Sequence, residues 1–262
     1  MSLRQGFMID ATVDFDEGVA FAAEQGFDFV ELNMEHPFFR ELAPDRVRSA
    51  TADRGLDVVA HLPYRLDIGS PHEHVREGAC RQLEAAVDTA AACGAETGVF
   101  HATTNASPEA WGAETLREWT YDSVRRVDGY AEDAGVTGAV ENVKQSYFDA
   151  GDFPDLFGAT DADACLDTGH AHARGYSGEE QAALVRDHGD RIAHVHLNET
   201  RQSDRDEHLP LGHGVVEFAP VARALVETDW SGTCTHEIYS WDLDSRARSK
   251  AVFDGLLADA RA

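Results

Sequence analysis

An α/β fold, a single (β/α)8 barrel of the TIM type spanning residues 1–262, is predicted by three observations. The chain has 262 residues, the usual size of one such barrel. Short apolar runs alternate with helix-like sequence along its whole length, with no linker, low-complexity tract or shift of composition. Six of those runs end in a residue able to bind a metal: LDVVA before His61, TGVF before His101, TGAV before Glu141, DACL before Asp167, IAHV before His196 and GTCTH before Glu237. A parallel barrel brings the C-terminal ends of all its strands to one mouth. Imidazoles and carboxylates gathered there serve no packing need, because a core favours apolar groups. A metal centre accounts for them.

The elements follow in chain order. GFMID reads as the first strand, with a helix from Asp16 to Gln25; FDFVEL is the second, with a helix from Pro44 to Arg54. LDVVAHL is the third, followed by a long helix that starts near Pro71 and stops at Gly94. TGVFHA precedes a helix over much of Pro108 to Ala134, and TGAVEN a short one around Phe153 to Phe157. DACLD, IAHVHL and GTCTHEI complete the strands, with helices at Gly178 to His188, Glu217 to Glu227 and Asp242 to Ala260. Continuous apolar runs suit strands covered on both faces. Gly26, Gly55, Gly94 and Gly135 follow helices, where a left-handed cap is wanted. Pro44, Pro71 and Pro108 sit near helix starts, where a missing N–H costs nothing. The longest irregular stretch, Asn198 to Gly214, follows strand seven at the ligand-bearing mouth, and a loop of that length is expected to be functional or mobile.

Composition narrows the function classes. Hydrophobic residues make up 43% of the chain, enough for a large core, yet no apolar stretch reaches transmembrane length. The N-terminus shows no signal-peptide pattern. Cys80, Cys93, Cys165 and Cys234 are scattered without a CxxC, which reads as buried free thiols in a reducing cytoplasm. Forty-eight acidic residues stand against 22 basic ones, a net charge of −26, and only Lys144 and Lys250 are lysines. The acids are spread through the helices, so they form no tail. An acidic, lysine-poor surface over an ordinary core looks like a halophilic protein, from a cell that keeps molar salt in its cytosol. At about 1 M salt the Debye length is roughly 3 Å and self-repulsion is screened. No membrane partner is expected, and there is no basic stripe for a nucleic-acid backbone. GxSxG, Walker and dinucleotide motifs are absent, and LGHG at Leu211 to Gly214 reads as a tight turn.

Among the candidate ligands, Glu141, Asp167, His196 and Glu237 form the strongest group. Three carboxylates at one mouth need a cation or a shared proton. One imidazole with three carboxylates suits zinc, manganese or cobalt. His61 and His101 end strands beside that of Glu141, so Glu141 can bridge a metal held by these histidines and one held by the carboxylates; the plainer alternative is two rim histidines. Asp167 and His170 in DTGH, with Asp206 and His208 in DEH, form a third group, read as extended loop, that serves either a further metal or a substrate-binding loop. One to three ions are therefore expected. His194, two residues before His196 on the same strand face, reads as a buried supporting histidine. His172 and His213 flank ligand positions as loop or substrate-contact residues. Glu31 is placed at the rim, to contact substrate, orient a histidine or face solvent.

The motifs VELN, AHLPY, VFHATT, VENVKQS, CLDTGHAHARG, HVHLNET, DEHLPLGHG and HEIYS, in this order, resemble the xylose isomerase-like TIM barrels, a superfamily that holds sugar isomerases and epimerases together with endonuclease IV. The resemblance covers nearly the whole chain. It implies metal roles for His61, His101, Glu141, Asp167, His170, His196, Asp206, His208 and Glu237, the nine positions used by the trinuclear zinc endonucleases. It also departs from that branch. GFMIDATVDFDEG stands where those enzymes carry a small DNA loop, and MEHPFF and TTNASPEAWG lack the cations of their later DNA-binding loops. VELNMEHP and HLPYRLDIGSP look more like the sugar phosphate isomerase/epimerase branch, several members of which keep the full histidine set.

The first expectation is thus a divalent-metal-dependent isomerase or epimerase of a small sugar, sugar phosphate or hydroxy-ketone, with Glu141 and Glu237 moving the proton. The second is an AP endonuclease of the endonuclease IV type, a phosphodiester hydrolase with a multinuclear zinc site. A metal-dependent binding barrel without catalysis comes third. DNA affinity depends on cations meeting phosphates, and this chain is short of them, so a sugar-like small molecule is the expected partner. A homo-oligomer stays open.

Overall fold

The computed structural model describes residues 3–35, 43–144, 148–202 and 205–262. Parts of MEHPFF and VENVKQS, and two positions of the loop from Asn198 to Gly214, lie outside the described residues. Strands β1 (Arg4–Ile9), β2 (Phe29–Asn33), β3 (Asp57–His61), β4 (Ala95–His101), β5 (Thr137–Glu141), β6 (Asp163–Asp167), β7 (Ile192–Leu197) and β8 (Thr233–His236) form one closed parallel barrel in sequence order. β8 pairs with β1, with Arg4 beside Thr233 and Phe7 beside His236. The helices are α1 (Phe15–Glu24), α2 (Pro44–Ala52), α3 (Glu73–Cys93), α4 (Pro108–Trp111), α5 (Ala113–Asp133), α6 (Phe153–Ala159), α7 (Thr168–Ala173), α8 (Gly178–His188), α9 (Phe218–Glu227) and α10 (Asp244–Arg261). No helix among the described residues is long and apolar enough to cross a membrane.

The interior of the barrel explains where the site lies. Phe29, Val59, Val99, Ala139 and Cys165 form a separate apolar cluster, one residue from each of β2 to β6. Side chains alternate faces along a strand. Two residues further on, the same inward face therefore presents Glu31, His61, His101, Glu141 and Asp167, and on β7 the step from His194 reaches His196. One apolar layer plugs the barrel and the next consists of potential ligands. The larger apolar cluster lies between strands and helices, with Phe7, Val30, Phe100, Val140, Leu166 and Val195 pointing outward.

Two local expectations are corrected. The stretch Pro108–Ala134 is not one helix: Gly112, with φ 83° and ψ 125°, separates α4 from α5. DTGH is not extended loop but the start of α7, with Asp167 as its N-cap accepting from the His170 amide at 2.6 Å. A helical i,i+3 spacing brings Asp167 and His170 to one side. The left-handed caps fall as expected, with φ 68° at Gly26, 68° at Gly55, 86° at Gly94 and 77° at Gly135. All four cysteines are free and buried.

Candidate metal centre at the strand ends

Strand register sets the site. His101 lies beside Glu141 across β4 and β5, and Asp167 beside His196 across β6 and β7. Glu141, 1% exposed, sits at the centre. Its Oε2 lies 3.1 Å from His61 Nε2 and 2.9 Å from His101 Nε2; its Oε1 lies 3.3 Å from both His170 Nδ1 and His196 Nδ1. Glu237, just past β8, has Oε2 at 3.4 Å from His196 Nδ1 and 3.1 Å from His208 Nε2. Asp167 Oδ2 is 3.8 Å from His196 Nδ1. Asp206 joins the remaining two histidines, at 3.1 Å from His170 Nε2 and 2.8 Å from His208 Nδ1. All nine predicted ligand positions thus converge. Within this set, Glu141, Asp167, His196 and Glu237 offer donor atoms that lie within 4.8 Å of one another, as do His61, His101 and Glu141, and Asp167, His170 and His208.

Hydrogen-bond roles test whether a cation fits. His61 donates from Nδ1 to the Leu62 carbonyl at 2.9 Å, and His170 from Nδ1 to the Asn142 carbonyl at 3.1 Å. His196 places Nε2 on the Glu31 carboxylate at 3.1 and 3.2 Å. When neutral, each of these rings turns an acceptor nitrogen toward carboxylate oxygens, which are also acceptors. Only a proton or a cation between them resolves that. Ligands about 2.1 Å from a shared tetrahedral ion stand roughly 3.4 Å apart, close to the separations of His196 Nδ1 from Glu141 and Glu237. The donor set fits a divalent ion.

The electrostatics carry the same message. Burial raises the Glu237 carboxyl, but His208 and His196 outweigh it and hold it down at about 2. Burial pushes Asp167 up to about 7, with Glu141 and Glu237 adding to the rise against the opposing pull of His170. His208 rises to about 10, because Glu237 and Asp206 overcome the burial that would lower it. Without a metal the Glu141 and Glu237 carboxylates are held by imidazolium charge, and a dication supplies such charge directly.

The sequence reading missed the supports. Asn142 clasps Asp167 from both sides, its Oδ1 accepting from the Asp167 amide at 2.8 Å and its Nδ2 donating to the Asp167 carbonyl at 3.0 Å. Asn198 donates to Asp167 Oδ2 at 2.6 Å and to Glu237 Oε2 at 3.4 Å. Both follow a strand-end ligand within two residues, and a polar amide at a barrel mouth was the available signal. Tyr239 donates to Glu237 Oε1 at 3.1 Å, and its ring stacks on His208 at 4.2 Å. Tyr64 lies 5.4 Å from both His61 and His101. His208 holds a left-handed backbone, φ 48°, a constraint typical of functional loops. Glu199 and Leu209 pair across that loop and so bring Asp206 and His208 back over the mouth. His194 is fully buried, as expected. His213 is exposed, and His172 is half-buried, its Nε2 shielded and without a hydrogen-bond partner among the described residues.

A closed parallel barrel with imidazoles and carboxylates gathered at the ends of its strands defines a class: a TIM barrel whose mouth carries a donor set able to hold a divalent ion. Residues 19–255 match the profile of the Xylose isomerase-like TIM barrel family, and the chain belongs to that family. It is 27% identical over 228 residues to the uncharacterized protein MJ1311 of Methanocaldococcus jannaschii, covering 82% of this chain and 76% of that one. It is 26% identical over 231 residues to a probable endonuclease 4 of Mycobacterium ulcerans, covering 85% and 90%. Among solved structures, a D-tagatose 3-epimerase-like protein superposes with a TM-score of 0.83 at 22% identity, covering 98% of each chain.

Proposed function

We propose that this protein is a divalent-metal-dependent isomerase or epimerase acting on a small sugar, sugar phosphate or related hydroxy-ketone. The observation that carries the reading is the unequal setting of the two carboxylates. Both oxygens of Glu141 are engaged by four imidazoles. Among the described residues, Glu237 Oε1 has only the Tyr239 hydroxyl as hydrogen-bond partner. Glu237 is therefore the base best placed to take a proton from a substrate carbon, and Glu141 the carboxylate that returns it or bridges ligands. Glu141, Asp167, His196 and Glu237 would hold the principal ion, with His61, His101, His170, Asp206 and His208 available for up to two more. Zinc, manganese or cobalt suits these donors. When bound, such an ion polarises a carbonyl and acidifies the neighbouring C–H. Asn198 and Tyr239 orient Glu237, and Tyr64 and Tyr239 flank the substrate with His172 and His213 as further contacts; Glu31, expected at the rim as a substrate contact, is instead fully buried against His194 and His196. Return of the proton to the opposite face inverts the centre; return to the neighbouring carbon isomerises. The D-tagatose 3-epimerase-like neighbour supports this reading through shared fold.

The nine converging ligands and the endonuclease 4 relatives favour a second reading, metal-assisted phosphodiester hydrolysis. One experiment separates them. Full-length protein, loaded with zinc or manganese in KCl, is given a panel of ketoses and inosose-like ketones in heavy water, with an abasic-site oligonucleotide alongside. Deuterium appearing in a sugar and vanishing in Glu237→Gln supports the isomerase. Clean strand cleavage without exchange into any sugar promotes the hydrolase. Metal content of wild type against Asp167→Ala tests the centre itself: equal, near-zero metal in both sinks it.

A further inference from the structure

We infer that Glu31 is a positioning carboxylate that fixes His196 with Nδ1 toward the metal and raises the affinity of the centre, acting in a buried chain Thr233–His194–Glu31–His196. The inference rests on the metal reading above. Glu31 is fully buried on β2, directly above the apolar plug. Its oxygens lie 3.1 and 3.2 Å from His196 Nε2, and Oε2 lies 3.3 Å from His194 Nε2, an ionic contact without hydrogen-bond geometry. His194 Nδ1 in turn meets Thr233 Oγ1 at 2.6 Å. Among the described residues no arginine or lysine pairs with Glu31, and its ionic partners are these two imidazoles.

The contrast with the other histidines makes the case. His61 and His170 are each oriented by a neutral backbone carbonyl. His196 alone among these three is oriented by a carboxylate. A charged acceptor behind a ligand imidazole both selects the tautomer and makes the ring a stronger donor. A carboxylate buried in a barrel needs a positive charge near it, and a dication on the far side of the His196 ring supplies one. Glu31 is thus a negative charge set behind the ligand ring, where it strengthens the hold of that ring on the cation.

The test is metal titration of the full-length, chelator-stripped protein with Zn2+ and Mn2+, comparing wild type with Glu31→Gln. The glutamine keeps the size and an acceptor oxygen but not the charge. The expected loss is about 10- to 100-fold in affinity. Both proteins are melted with and without metal, and the rise on adding metal should shrink in the variant. A merely structural glutamate would instead lower both melts together and leave metal affinity intact. An affinity within twofold of wild type overturns the inference. Should Glu31→Gln not fold, Glu31→Asp, which draws the charge back by one methylene, must still weaken binding several-fold, and wild-type affinity there overturns it. Wild type that binds neither ion defeats the metal reading itself, an outcome distinct from equal binding by both proteins.

Discussion

Replacing Asp128 with asparagine should stabilise this protein at neutral pH and leave the mouth untouched. Asp128 lies on α5 at the N-terminal end of the barrel, and its Oδ1 is 2.6 Å from where a Cβ on Gly138 would stand. Burial, then the charges of Asp163, Glu132 and Asp161, push its carboxyl from 3.8 up to about 6, against a partial opposing pull from Arg191. Taken at face value, ionising it in the folded chain costs roughly 3 kcal/mol at 1.36 kcal/mol per tenfold. The side chain is only about half buried, so solvent screening reduces this to about 1 kcal/mol. The sign follows from a folded value above the unfolded one. Below pH about 4 the group is neutral in both states and costs nothing. Between pH about 4 and 6 the unfolded chain ionises first, so wild-type stability falls as pH rises, and above about 6 the penalty is constant. Asp128→Asn should therefore gain about 1 kcal/mol at pH 7, about 2 °C in melting temperature for a domain of this size, and nothing at pH 4. Urea melts of both proteins across that range decide it. No gain at pH 7, or a gain that grows on acidification, refutes the reasoning.

Three further outcomes are expected. Thermal stability should rise steeply from dilute buffer to molar KCl, because a net charge of −26 repels itself once screening is removed; a melting point unchanged across that range contradicts a salt-adapted surface. Arg246 is fully buried, donating to the carbonyls of Ser240 and Ile238 at 3.0 Å each, just beyond Glu237. Arg246→Met leaves these acceptors unmet and should cost about 3 kcal/mol in urea melts while weakening metal binding; unchanged stability would show that the guanidinium does not brace the β8 loop. A Cβ at Gly169 would meet Asn198 Oδ1 at 1.8 Å, so Gly169→Ala should displace the amide that holds Asp167 and Glu237 and cut turnover more than tenfold, with wild-type turnover as the refuting result.

The barrel and the imidazoles and carboxylates at its mouth were legible in the residues because both follow from strand periodicity. A covered strand must be a short apolar run, and the residue at its end faces the mouth whatever the rest of the chain does. That is why His61 after LDVVA, His101 after TGVF and Asp167 after DACL could be placed at the mouth without coordinates. The helix break at Gly112 and the N-cap role of Asp167 were not visible, since both depend on local backbone geometry that many residues allow. Tertiary structure alone decided who touches whom across the mouth. Glu31 and His196 are 165 positions apart, and nothing in either strand states that their side chains meet. The same holds for Asn142 on Asp167 and for Tyr239 over His208. Strand register, the closing of β8 on β1 and the fold-back of the loop carrying Asp206 set those contacts. Closure fixes distances between strands, whereas sequence pattern fixes only the face each residue takes.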